Sequence, residues 1–190
     1  YYNYVNKANA SNTRNVNIRK LRLILERTGD IAINYKGGYW SISIGDDITC
    51  DYHEISKILQ EVPDKATVDI ATLQRILKLA AGGTLTPTIS TEWLDSFKDE
   101  YTKQVTTFML RMLETSDVKG NNKLILQIAD VLLLNDTLDE EAMRIKCQIL
   151  FRMGQKGASK KCYDTFVAEH TRLLNEKPAI SYEYILSDLQ

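Results

Sequence analysis

Two stretches decide how this chain is read: Asn15-Val16-Asn17-Ile18-Arg19-Lys20-Leu21-Arg22, and after it Ile31-Ala32-Ile33-Asn34-Tyr35-Lys36-Gly37-Gly38-Tyr39-Trp40. The first is basic and amphipathic. Ser11, Asn12 and Thr13 are all competent to cap a helix N-terminus, because a short side-chain oxygen can accept from a free backbone N–H. The expected helix runs from there to about Arg27 and stops at Thr28-Gly29, with Gly29 in the C′ position. At 100° per residue, Ile18, Leu21, Ile24 and Leu25 share the face expected to pack inward. Asn15, Val16, Arg19, Arg22 and Leu23 point the other way, with Lys20 at the flank. The second stretch changes period. Residues 31–34 and 39–44 alternate as strands do around Lys36-Gly37-Gly38, whose glycines tolerate the positive φ of a tight hairpin.

Charge separates this segment from the rest. Residues 1–45 hold seven Lys or Arg (Lys7, Arg14, Arg19, Lys20, Arg22, Arg27, Lys36) and two acids (Glu26, Asp30), a balance of +5. The whole chain of 190 residues has 24 basic and 25 acidic side chains, so 17 and 23 remain for the other part, a balance of −6. The net −1 therefore hides two segments of opposite sign. A basic piece joined to an acidic one predicts a nucleic-acid-binding segment attached to something with another task.

Beyond Gly45-Asp46-Asp47 the apolar period becomes 3.6 and stays there. The spacing predicts helices at about 51–62, 67–82, 91–115, 121–135, 138–153, 157–175 and 180–189. They are punctuated by Pro63, Gly82-Gly83, Pro87, Gly120, Asn135-Asp136, Gly154 and Pro178. Asp51 and Ser90 or Thr91 read as caps. The connections between the helices at 121–135, 138–153 and 157–175 are short enough to force antiparallel neighbours. A helical hairpin of this length with small residues at the close contacts is the pattern of a tetratricopeptide unit. Asp139-Glu140-Glu141-Ala142 opens one such helix and Phe151-Arg152-Met153-Gly154 closes it. Lys156-Gly157-Ala158 begins the next, with Cys162, Tyr163 and Phe166 on its inner face.

These residues resemble a known family. Asp139 to Gly154, then Ala158-Ser159 to Tyr163, and Leu173-Leu174 to Pro178 look like the bacterial transcriptional activator domain, a tetratricopeptide-like helical bundle of AfsR-type regulators. Glu92-Trp93-Leu94 before a long helix is similar to the same domain. In that family the bundle follows an OmpR/PhoB-type winged helix. Val16 to Arg22 and Gly37-Gly38-Tyr39 look like its recognition helix and wing. The resemblance implies a mainly α chain: residues 1–48 the C-terminal part of a winged-helix DNA-binding domain, and residues 49–190 an antiparallel helical bundle. It also implies that the chain is a piece of a longer regulator. The small N-terminal sheet and first helix of the winged helix would precede Tyr1, and residues 1–10 would be the end of the preceding helix.

The candidate DNA-binding residues are Arg14, Asn15, Val16, Arg19, Lys20, Arg22 and Lys36, with double-stranded DNA as the partner. The plainer reading of the same helix is a solvated charged face. Trp93, Phe97, Tyr101, Phe108 and Met112 read first as core, with a peptide or small-ligand groove as the alternative. Cys147 and Cys162 read as small buried hydrophobes. Three widely spaced cysteines, with Cys50, give no disulfide framework and suit a reducing, cytoplasmic compartment. His53 and His170 stand alone, no Cys-x-x-Cys spacing exists, and Glu140-Glu141 is a charged first helical turn. No nucleophile–base set, phosphate loop or metal site is recognisable, so neither an enzyme nor a cofactor is expected. No apolar run reaches ~18 residues, so no membrane contact is expected of this segment. The helical part is expected to serve dimerisation, signal response or contact with the transcription machinery, through a protein partner or self-association. The rival reading is a tetratricopeptide-like interaction scaffold, with no direct DNA binding, whose basic arm meets an acidic partner.

Overall fold

A computed structural model describes residues 7–62 and 68–187. The chain is mainly helical with one small antiparallel sheet, and it divides into two units, Tyr1–Cys50 and Asp51–Gln190. The expectations for Pro63, the start of a helix at Thr67, the end of a helix at residue 189 and the conformation of residues 1–6 fall outside the described residues.

In the first unit, helix α1 spans Lys7–Leu25, followed by strands β1 (Ile31–Lys36) and β2 (Tyr39–Ile44). The start of α1 corrects the sequence reading. Ser11, Asn12 and Thr13 lie inside the helix, and Lys7–Ala10 belong to it rather than to a preceding helix. Asn, Ser and Thr cap well but cost only a few tenths of a kcal/mol in a helix interior. Nothing between Ala8 and Thr28 is Gly or Pro, so the helix continues through them.

The hairpin forms where the alternation placed it. Its register pairs Ile31 with Ile44, Ile33 with Ile42, Tyr35 with Trp40 and Lys36 with Tyr39. Gly37 and Gly38 make the two-residue turn with φ of 62° and 88°, the both-positive pattern of a type I′ turn. Period two puts Ile31, Ile33, Tyr35, Trp40, Ile42 and Ile44 on one face. Ala32, Asn34, Lys36, Tyr39, Ser41 and Ser43 occupy the other.

The inward face of α1 is also corrected. Ser11, Ile18 and Leu25 are half-buried, but Leu21 is exposed and Ile24 is 61% exposed. The half-buried set is centred some tens of degrees away from the expected apolar stripe. Only Ile33, 7% exposed, is fully buried among the described residues of this unit.

The second unit contains α2 (Asp51–Glu61), α3 (Ile70–Ala80), α4 (Glu92–Leu113), α5 (Ser116–Lys119), α6 (Asn122–Asn135), α7 (Glu140–Arg152), α8 (Lys156–Leu174) and α9 (Tyr182–Ser187). The one-turn α5 was not expected, since four residues carry no readable period; Val118 anchors it in the core. The main core joins α2, α3, α4 and α6 through Ile55, Ile76, Val105, Met109, Ile128 and Leu132. A second cluster, Met143, Cys147, Phe166 and Ile185, joins α7, α8 and α9.

Local chemistry sets the helix ends. The carboxylate of Asp139 accepts from the Ala142 N–H at 2.9 Å, and that of Asp69 accepts from the Thr72 N–H at 2.8 Å. The Asp69 carboxyl is held below the usual range by that backbone hydrogen bond and by the Thr72 hydroxyl. Thr91 takes the N-cap position of α4, but its hydroxyl caps nothing. The turn after α7 closes through Gly154 at φ 77°, with Gln155 N–H donating to Leu150 O at 2.9 Å. This 6→1 bond is the one a left-handed residue permits.

Tyr101, Phe108 and Met112 are core residues as expected, whereas Trp93 is 69% and Phe97 52% exposed. The reason lies along α4, where buried residues begin only at Tyr101. No residue of its first two turns is fully buried. The contrast predicts that Ile128→Ala destabilises the chain by about 2–5 kcal/mol, through lost burial and a residual cavity. Trp93→Ala should change stability by less than about 0.5 kcal/mol. Urea melts of the two variants against the parent check both.

Candidate nucleic-acid interface

Four of the seven sequence-predicted residues, Asn15, Val16, Arg19 and Lys20, fall within six positions of α1 and are all solvent-exposed. Arg14 is exposed one residue earlier, its Nη2 3.4 Å from the Ser11 hydroxyl. The side chains of Arg19 and Lys20 form no hydrogen bond or ion pair with any other described residue, in contrast to Lys119, Lys146, Lys160 and Arg172 of the helical unit, which each hold a carboxylate. A cation without a counter-ion on a helix face retains its full charge for a polyanion.

Arg22 behaves differently from the expectation. Its Nη2 donates to the Ile33 carbonyl at 2.8 Å, reaching from α1 onto β1. Its guanidinium also lies 6.0 Å from the centre of the Trp40 ring. Trp40 in turn packs on Tyr35, ring centres 4.8 Å apart and planes inclined by 40°. Arg22 therefore ties the helix to the hairpin, using its planar group for a hydrogen bond and a ring face at once.

Lys36 ends β1 beside the Gly37-Gly38 turn, and Tyr39, opposite it, is 79% exposed. Behind the turn, on the same face, Asn34 donates to the Ser43 hydroxyl at 3.0 Å. The first unit thus presents a basic helix face and a basic hairpin tip held in one arrangement by Arg22. Tyr39 and the Asn34–Ser43 face were missed by the sequence reading, although strand alternation puts them beside Lys36.

No family model, curated protein or solved structure matches the chain. The site is therefore judged on its own geometry. Among the described residues no group of His, Cys, Asp or Glu is arranged to hold a metal ion. No helix among them is long and apolar enough to cross a membrane. Elsewhere the helical unit has an apolar groove of about 450 Å³ along α6, α7 and α8, bordered by Leu133, Met143, Lys146, Leu150, Cys162 and Phe166.

Two substitutions probe the arrangement. Gly38→Val places a β-branched residue at φ 88°, which costs on the order of 1–3 kcal/mol. The cross-strand nuclear Overhauser contacts between residues 31–36 and 39–44 should weaken or vanish. Arg22→Ala should leave the hairpin register intact and abolish the contacts between α1 and Trp40.

Proposed function

We propose that this chain is part of a DNA-binding transcriptional regulator. In this reading α1 is the recognition helix of a winged helix and the β1–β2 hairpin is its wing. The helical unit is a tetratricopeptide-like activator domain that serves dimerisation, signal response or contact with the transcription machinery in the cytoplasm. The observation that carries the reading is the pair Arg19 and Lys20, exposed and without counter-ions on α1, next to a hairpin whose tip carries Lys36. The resemblance to AfsR-type regulators supports the same order of parts.

Within that reading the residues divide by task. Asn15, Val16 and Arg19 face base edges, where Asn and Arg have the donor geometry for bidentate contacts and a small apolar side chain suits the thymine methyl group. Arg14, Lys20 and Lys36 meet phosphates, which position the protein without specifying sequence. Arg22, assigned to DNA from the sequence, is reassigned to holding the wing against the helix. The rival scaffold reading draws on the exposed Trp93–Phe97 pair, rings edge to face at 6.4 Å, which offers an apolar patch to a protein.

Fluorescence anisotropy of the 190-residue chain on labelled duplexes across a salt series separates the two. Lys20→Ala should weaken binding to all sequences alike and lower the salt slope by ~1. Arg19→Ala should relax preference at one base pair, at a cost of ~1–3 kcal/mol for a bidentate guanine contact. If both variants bind as the parent does at every salt concentration, the recognition-helix assignment is wrong.

A further inference from the structure

Helices α7 and α8 are fixed against each other at Ser159, a fully buried small residue. Its hydroxyl donates to the Cys147 carbonyl at 2.8 Å and accepts from the Tyr182 hydroxyl at 2.9 Å. The groove of about 450 Å³ runs along this pair of helices and α6. Its apolar lining is Leu133 of α6, Met143 and Leu150 of α7, and Phe166 of α8. Met143 and Phe166 also belong to the second core cluster, so the lining is held by packing within the fold. A preformed apolar groove is the usual form of a small-molecule site, and such sites span ~300–1,000 Å³. At roughly 30 Å³ per non-hydrogen atom, the share of one water in the liquid, this groove holds about fifteen.

Charge decides what kind of molecule fits. Lys146, Lys161 and Glu169 are the ionic side chains at the border of the groove. Lys146 holds Asp130 at 2.6 Å, and Glu169 is held by Arg172 at 2.6 Å. Lys161 is exposed, and its side chain forms no hydrogen bond or ion pair with any other described residue. The uncompensated charge at the border is therefore that of one ammonium. The Thr165 hydroxyl, also at the border, is turned back onto its own helix, donating to the Lys161 carbonyl at 2.9 Å. An apolar lining with one unpaired ammonium at its edge is complementary to a hydrocarbon chain that ends in a single anionic group. A cationic amphiphile finds no such match, because the nearby carboxylates of Asp130 and Glu169 are already paired.

We propose that the α6–α7–α8 groove binds a free medium-chain monocarboxylate, of about eight to twelve carbons by its volume. The chain lies on Leu133, Met143, Leu150 and Phe166, and the carboxylate meets the Lys161 ammonium. Burial of the chain supplies most of the affinity. The exposed ion pair fixes which end enters and adds a smaller increment. The site is independent of the DNA reading.

The test is a titration of the 190-residue chain with decanoate, and separately with decanol, followed by amide chemical shifts. Decanoate should shift residues lining the groove on α6, α7 and α8 saturably, and decanol should shift the same residues with an affinity about two- to fivefold lower, the size of an exposed ion pair. Lys161→Gln should bring decanoate down to the affinity of decanol and leave decanol unchanged, while Lys161→Arg should restore the difference. Ala158→Trp and Thr165→Trp, both at exposed positions lining the groove, should abolish binding of both compounds while the circular dichroism stays that of the parent. Absence of a saturable shift, or shifts confined to other residues, overturns the proposal. Equal decanoate affinity in the parent and in Lys161→Gln overturns the carboxylate assignment. Sedimentation with phosphatidylglycerol vesicles by a chain that ignores monomeric decanoate overturns the free ligand in favour of a membrane surface.

Discussion

The contact of Arg22 with the Ile33 carbonyl and the Trp40 ring is the constraint on which the first unit depends. Apolar burial cannot hold helix and hairpin together here, because Ile33 is the one fully buried apolar side chain among the unit's described residues. A single isoleucine contributes roughly 1.5–3 kcal/mol, and an isolated two-stranded hairpin is marginal in water. A guanidinium can donate to a strand carbonyl and lie over an indole in one conformation; an ammonium has no planar group to do both. The relative placement of Lys20 and Lys36, and with it any joint contact of helix and tip with a phosphate backbone, follows from that clamp.

How much of this was legible in the sequence differs from element to element. The hairpin was legible because residues 31–36 and 39–44 alternate on both sides of Gly37-Gly38, and period two with a glycine tip has few competing readings. The helices of the second unit were legible because Gly, Pro and Asp residues stand at their ends; Asp139 caps α7 as its position before Glu140-Glu141 implies. The start of α1 was not, because Ser, Asn and Thr serve a cap and a helix interior almost equally, and only the longer run of helix-compatible residues decides. Nor was the packed face of α1, whose apolar residues Val16, Ile18, Leu21, Leu23, Ile24 and Leu25 spread too widely around the axis to define one stripe.

The site residues show the same division. The exposure of Arg19, Lys20 and Lys36 was legible because cations on a helix face and a hairpin tip are surface features with a readable period. The contact of Arg22 was not legible because its partner is a backbone carbonyl eleven residues away, and no side-chain pattern marks such an acceptor.

The central claim, that α1 and the hairpin tip together engage a nucleic-acid backbone, is tested most directly by amide hydrogen exchange on the 190-residue chain at low salt, with and without a mixed-sequence duplex. The account predicts slower exchange in residues 15–20 and 36–39 on adding the duplex, lost as salt is raised, with residues 51–187 unchanged. Unaltered exchange in α1 and the turn at every salt concentration, or protection confined to residues 51–187, would contradict it.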